Sequence, residues 1–84
     1  MGAAMIICPW EEIESFQSLG EFRRFEEWMA EQVSAGNAEQ IAVEHPFAGA
    51  TTLRERWFRH KASGSIWRLV DPDPPFTGTF EHVQ

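Results

Sequence analysis

The stretch Ser18–Gly36, SLGEFRRFEEWMAEQVSAG, decides the class of fold. Ser18-Leu19-Gly20-Glu21 has the S-x-x-E form of a capping box, in which serine and glutamate each satisfy a backbone N–H that a helix leaves without a partner. Behind it Leu19, Phe22, Phe25, Trp28, Met29 and Val33 recur on one helical face. Glu26, Glu27 and Glu31 fall largely on the other. Gly36-Asn37 supplies residues that tolerate the left-handed conformation closing a helix. The spacing predicts a helix over 18–35 with Phe22, Phe25, Met29 and Val33 buried and Trp28 at the edge.

On the C-terminal side the period changes. Ile41-Ala42-Val43 is short and β-branched, predicting a strand over about 39–44 that His45-Pro46 ends. Leu53 to Lys61 and Ser65 to Asp71 are rich in aromatic and β-branched residues and are separated by Ala62-Ser63-Gly64. A three-residue loop ending in glycine suits a hairpin with a type I turn and a bulge. That register sets Arg59 against Trp67 and Phe58 against Arg68, two pairs with cation–π geometry. Pro72, Pro74 and Pro75 bend the chain before a last strand within Phe76–Val83. On the N-terminal side, Ile6-Ile7 reads as a short strand, and Pro9 with Glu11, Glu12 and Glu14 as a brief helix start. The expected fold is α+β: one main amphipathic helix packed on a three- to four-stranded antiparallel sheet, as a single domain over 1–84.

Length and composition narrow the function. A chain of 84 residues has a thin core. Cys8 is the sole cysteine, which rules out an internal disulfide and, with no leader-like start, fits a reducing cytoplasmic setting. No stretch suits a membrane span. The net charge of −6 disfavours general binding to nucleic acid. That charge is unevenly placed: residues 1–50 carry nine acids and two bases, whereas 51–84 carry five bases and four acids.

Chemistry-bearing patterns are sparse. His45, His60 and His82 are 15 and 22 residues apart, which matches no local metal-ligand spacing, and no C-x-x-C exists. Nothing around Cys8 resembles a nucleophile motif, and cysteine is commonly a small buried hydrophobe. Carboxylate pairs abound at Glu11/Glu12, Glu26/Glu27 and Asp71/Asp73, but acid–base work needs carboxyls in contrasting environments. Gly49 and Gly64 stand alone, without a phosphate-binding loop around them. The reading is therefore not an enzyme, with no cofactor and no metal.

Two segments carry more information. Arg54 to Lys61 (RERWFRHK), with Ile66-Trp67-Arg68, interleaves aromatics and bases as single-strand binders do. Its ordinary reading is a half-buried strand whose arginine stems cover aromatic faces. The acidic run from Glu11 to Glu44 is ordinarily a solvated face, yet its bias is strong enough to steer a basic partner. The exposed acids expected to matter are Glu27 and Glu31, supported by Glu11, Glu12 and Glu14, with Asp71 and Asp73 as a second acidic edge. Tight binding also needs an aromatic anchor, for which Trp10 and Trp57 are the candidates.

Glu55-Arg56-Trp57-Phe58, Gly64-Ser65-Ile66-Trp67-Arg68-Leu69-Val70 and Pro72-Asp73-Pro74-Pro75-Phe76-Thr77-Gly78, together with the size, charge and architecture, resemble bacterial toxin-immunity proteins. The resemblance implies a small cytosolic inhibitor that occludes a cognate toxin or effector one-to-one, and assigns no role to an individual residue. The alternatives are a nucleic-acid-binding module using the basic aromatic hairpin 53–70, and a protein-binding adaptor.

Overall fold

The computed structural model describes residues 7–84. Helix α1 (Leu19–Ser34) starts at the capping serine, whose Oγ accepts the Glu21 N–H at 3.1 Å. The glutamate reciprocates one residue further back than the box prescribes, accepting from the Gln17 N–H at 3.1 Å. At the other end Gly36 adopts φ +83°, Gly36 N–H donates to the Val33 carbonyl and Asn37 N–H to that of Gln32. This is the double bond pattern of a Schellman cap, which needs a left-handed residue at the glycine.

The four strands are β1 (Ala38–Ile41), β2 (Glu55–His60), β3 (Ile66–Val70) and β4 (Thr79–His82). They form one antiparallel sheet in the order β1-β2-β3-β4, and α1 packs on one face, an α+β architecture as expected. No helix among the described residues is long and apolar enough to cross a membrane.

Several expectations are corrected. The β2–β3 register is slipped by one: Phe58 faces Trp67 and Trp57 faces Arg68. The turn is longer by one residue, because Gly64, at φ +81°, donates its N–H to the His60 carbonyl at 2.7 Å while His60 N–H bonds to Ser65. This slip collects Phe58, Trp67, Leu69 and Phe80 on the helix face, whereas the expected register would set Phe58 against a charge. The strand expected over 39–44 ends at Ile41. Ile6 lies outside the described residues, and Ile7 is exposed and in no strand.

The helix start expected at Pro9 does not form. Residues 7–12 are irregular, with Cys8 and Trp10 half-buried and Ile7, Pro9 and Glu11 exposed. Ile13 exchanges two backbone hydrogen bonds with Phe80, of 2.8 and 2.9 Å, at the outer edge of β4. A one-turn helix is costly to nucleate, whereas the irregular path packs Cys8, Trp10 and Ile13 against the core.

The core holds Phe16, Phe22, Met29, Phe58, Trp67, Leu69 and Phe80. Of the helix face, Phe22 and Met29 are buried, Phe25 is half-buried and Trp28 sits at the edge. Val33, expected inside, is 38% exposed, because α1 ends on a short edge strand that leaves its last turn overhanging. Glu26, expected outside, is half-buried and pairs with Arg56 at 2.9 Å.

The opposite face of the sheet carries its own packed layer. Ile41, Trp57, Arg68 and Glu81 form one cross-strand row, and the chain between β1 and β2 folds over it. Arg68 is 8% exposed and lies over the rings of Trp57 and Phe47, at 5.4 and 5.6 Å. Its Nε approaches Glu55 Oε2 to 3.1 Å as an ion contact without hydrogen-bond alignment, and its NH1 donates to Glu81 at 3.3 Å. Glu55 in turn accepts the Trp57 indole N–H at 2.6 Å and the Phe47 amide at 2.7 Å. A single buried carboxylate thus ties the overlying loop to the sheet.

Candidate functional site

The structure sorts the charges into those that hold the fold and those that do not. Arg56 pairs with Glu26 and Asp71, Arg59 with Glu39, Arg68 with Glu55 and Glu81, and the exposed Arg54 more loosely with Asp71 at 3.8 Å. The basic hairpin is therefore largely neutralised from within. Among the described residues Glu11, Glu12, Glu14, Glu21, Glu27, Glu31, Glu44 and Asp73 make no ion pair, and all but Glu21 are exposed. Arg23, Arg24 and Lys61 are the unpaired bases. The protein's net charge resides almost wholly in the unpaired set.

These acids fall into separate groups. Glu12 and Glu14 flank Ile13, so the bridge to Phe80 sets them beside Glu81 around a shallow cleft of about 490 Å³. Glu12 also accepts the His82 N–H at 3.1 Å, which holds it to the sheet edge. Glu11 lies next to them in the chain and is exposed. Glu27 and Glu31 are exposed on α1, on an outer face that also carries exposed Arg23 and Arg24, so the field there is mixed. Asp71 does not form the expected second edge with Asp73. It is half-buried and bonds Arg56 NH2 at 2.8 Å, while Asp73 remains exposed.

The anchor candidates also separate. Trp57 is 0% exposed, because the one-residue register difference turns it under the β1–β2 loop against His45 and Arg68. No partner reaches it in this conformation. Trp10 is half-buried and meets Trp28, itself 37% exposed, with ring centroids 6.0 Å apart and planes at 71°. The two indoles form a corner of a cleft of about 600 Å³ that Glu11 also lines.

Glu81 and Trp28 are not among the site residues the sequence singles out. Glu81 follows from period two in β4 once that strand's bounds are known. Trp28 lies at the edge of the core as its spacing predicts, and nothing local distinguishes an edge from an anchor. Among the described residues no group of three His, Cys, Asp or Glu side chains is placed to hold a metal ion. In comparisons with known proteins, no family model, no curated protein and no solved structure matches the chain.

Proposed function

We propose that this protein is a non-enzymatic inhibitor, an immunity protein that binds a basic bacterial toxin or effector and occludes its functional surface. The supporting observation is the sorting of charge: the arginines of the hairpin are engaged inside the fold, while the acids at the β4 edge and on α1 stay exposed and unpaired. Unpaired surface carboxylates raise the encounter rate with a basic partner, since long-range attraction acts before contact. Trp10 and Trp28 supply the aromatic anchor beside Glu11 that holds such a complex. The same sorting weakens the nucleic-acid reading, because Arg56, Arg59 and Arg68 are not available to phosphates without breaking native pairs.

The test has a cellular and a kinetic arm. Co-expression with the toxin encoded beside its gene should restore growth. Association with that toxin should be fast, and should slow by about tenfold or more in Glu11→Lys/Glu14→Lys, with a flatter dependence on salt. Unchanged rates in the charge-reversed variant remove the steering mechanism. Failure to protect cells from any neighbouring toxin removes the immunity reading.

A further inference from the structure

Beside the acidic edge the fold builds a directed hydrogen-bond chain that no part of the inhibitor reading uses. The Trp67 indole N–H, which can only donate, bonds Ser65 Oγ at 3.0 Å. Ser65 Oγ lies 2.9 Å from Ser63 Oγ, and Ser63 Oγ lies 2.8 Å from His60 Nδ1. The Ser63 backbone N–H also points at His60 Nδ1, at 3.3 Å. A backbone N–H has no other role than donor, so Nδ1 of the neutral ring is the acceptor and the proton resides on Nε2. The serines then align in one sense, each hydroxyl donating towards the imidazole. The chain from a donor-only indole to an accepting nitrogen thus selects a single tautomer.

His60 is 9% exposed and lies edge-on to Trp10, with centroids 4.9 Å apart. Its Nε2 has no protein partner among the described residues, yet it is not one of the polar atoms sealed in the interior. His60 lines the cleft of about 600 Å³ whose apolar walls are Trp10 and Trp28. Lys61 also lines that cleft and makes no ion pair among the described residues. So does Gln32, whose Oε1 accepts from Asn37 Nδ2 at 3.3 Å, leaving its own amide hydrogens free. His60, Lys61 and Gln32, which carry an imidazole N–H, an ammonium and an amide NH2, therefore line one space with the two indoles. Glu11 also lines the cleft, so its formal charge and that of Lys61 sum to zero there.

We propose that this cleft binds an aromatic carboxylate, as a free small molecule or as the C-terminal residue of a peptide. The ring lies in the indole corner, where edge-to-face packing is favourable. The carboxylate takes the His60 Nε2–H and the Lys61 ammonium, both charge-assisted bonds once it is bound. His60 is the specificity residue, held as a donor by Ser63 and Ser65. The site shares the Trp10–Trp28 corner with the anchor proposed above but takes a different occupant, and because its test needs no toxin the two readings fail separately.

The probes are N-acetylphenylalanine and phenylacetate, with N-acetylphenylalaninamide as the control lacking a carboxylate. Each is titrated into the protein at pH 8, following the indole and imidazole resonances by NMR. In the free protein the imidazole nitrogen shifts should show the Nε2–H tautomer of His60. Both carboxylates should bind saturably and shift the Trp10 and Trp28 indole signals, with the amide at least tenfold weaker. Binding of N-acetylphenylalanine alone assigns the site to a peptide terminus, and equal binding of phenylacetate assigns it to a free acid. Lys61→Gln, an exposed substitution, should weaken both about tenfold while leaving the melting temperature unchanged. An Nδ1–H tautomer in the wild-type protein overturns the proposal, as does equal binding of the amide, or no saturable shift with any probe.

Discussion

Replacing Glu55 by glutamine tests the most concentrated interaction in the molecule. The Glu55 side chain is 5% exposed and serves three groups: the Phe47 amide, the Trp57 indole and the Arg68 guanidinium. Glutamine matches its shape but not its charge. One of its two terminal atoms becomes a donor, facing N–H groups that can only donate, so one buried donor goes unmet at about 1–3 kcal/mol. Arg68, 10% exposed at its side chain, then keeps Glu81 but loses its most buried counter-charge. Removing one partner of a buried ion pair typically costs about 3–5 kcal/mol. A chain of 84 residues has a total stability of about 4–13 kcal/mol, so the loss is a large share. Near the midpoint about 4–8 °C is lost per kcal/mol in domains of this size, so the melting temperature should fall by at least about 12 °C. The internal control is Glu39→Gln, which breaks an ion pair with Arg59 whose side chains are 45% and 44% exposed. Exposed pairs contribute about 0–1 kcal/mol and are screened by salt. Urea titrations of both variants at low and high salt make the comparison. Matching losses under about 1 kcal/mol in both would refute the view that the buried carboxylate holds the loop to the sheet.

Three further outcomes are expected. Gly78→Ala should destabilise by about 2–5 kcal/mol, since Gly78 sits at φ +83° and a Cβ there would meet Val70 O, Phe16 Cδ2 and Pro72 Cδ at 3.0–3.1 Å. Gly36→Ala, at the same φ but with open space, should cost only about 1–2 kcal/mol, and equal losses in urea would show the contacts to be irrelevant. Phe80→Ala, at 1% exposure, should lose about 3–5 kcal/mol while the half-buried Phe25→Ala loses visibly less; the reverse order in thermal melts would misplace the core. The protein should show no micromolar affinity for single-stranded DNA or RNA at physiological salt, and a complex that weakens steeply with added salt and is lost in Arg56→Glu/Arg59→Glu would contradict the internal engagement of those arginines.

The candidate surface was legible in part. Glu11, Glu14, Glu27 and Glu31 are exposed as their chain positions suggest, because neither a polar helix face nor an acidic run has any gain from burial. What chain position cannot carry is pairing at a distance. Asp71 and Glu26 look like their acidic neighbours in sequence, yet Arg56 stands between them in space and half-buries both. Trp57 and Trp67 are alike in sequence, each an indole within a strand beside an arginine. The register between their two strands sends them to opposite faces of the sheet, and both faces turn out to be covered.

The sequence by itself determined the helix, both of its caps and the succession of strands, because caps, turns and hydrophobic period act over a few residues and are written locally. It also determined the acidic balance. Tertiary structure decided the hairpin register, since slipping one residue changes no local preference and only the helix and the β1–β2 loop distinguish the two faces. It decided that residues 7–12 form no helix, since Ile13 finds its hydrogen bonds on Phe80, far along the chain. It decided, finally, which charges are free. An ion pair depends on distance in space, so Arg56, Arg59 and Arg68 became part of the fold while Glu12 and Glu14 beside the sheet edge stayed exposed and without an ion pair among the described residues.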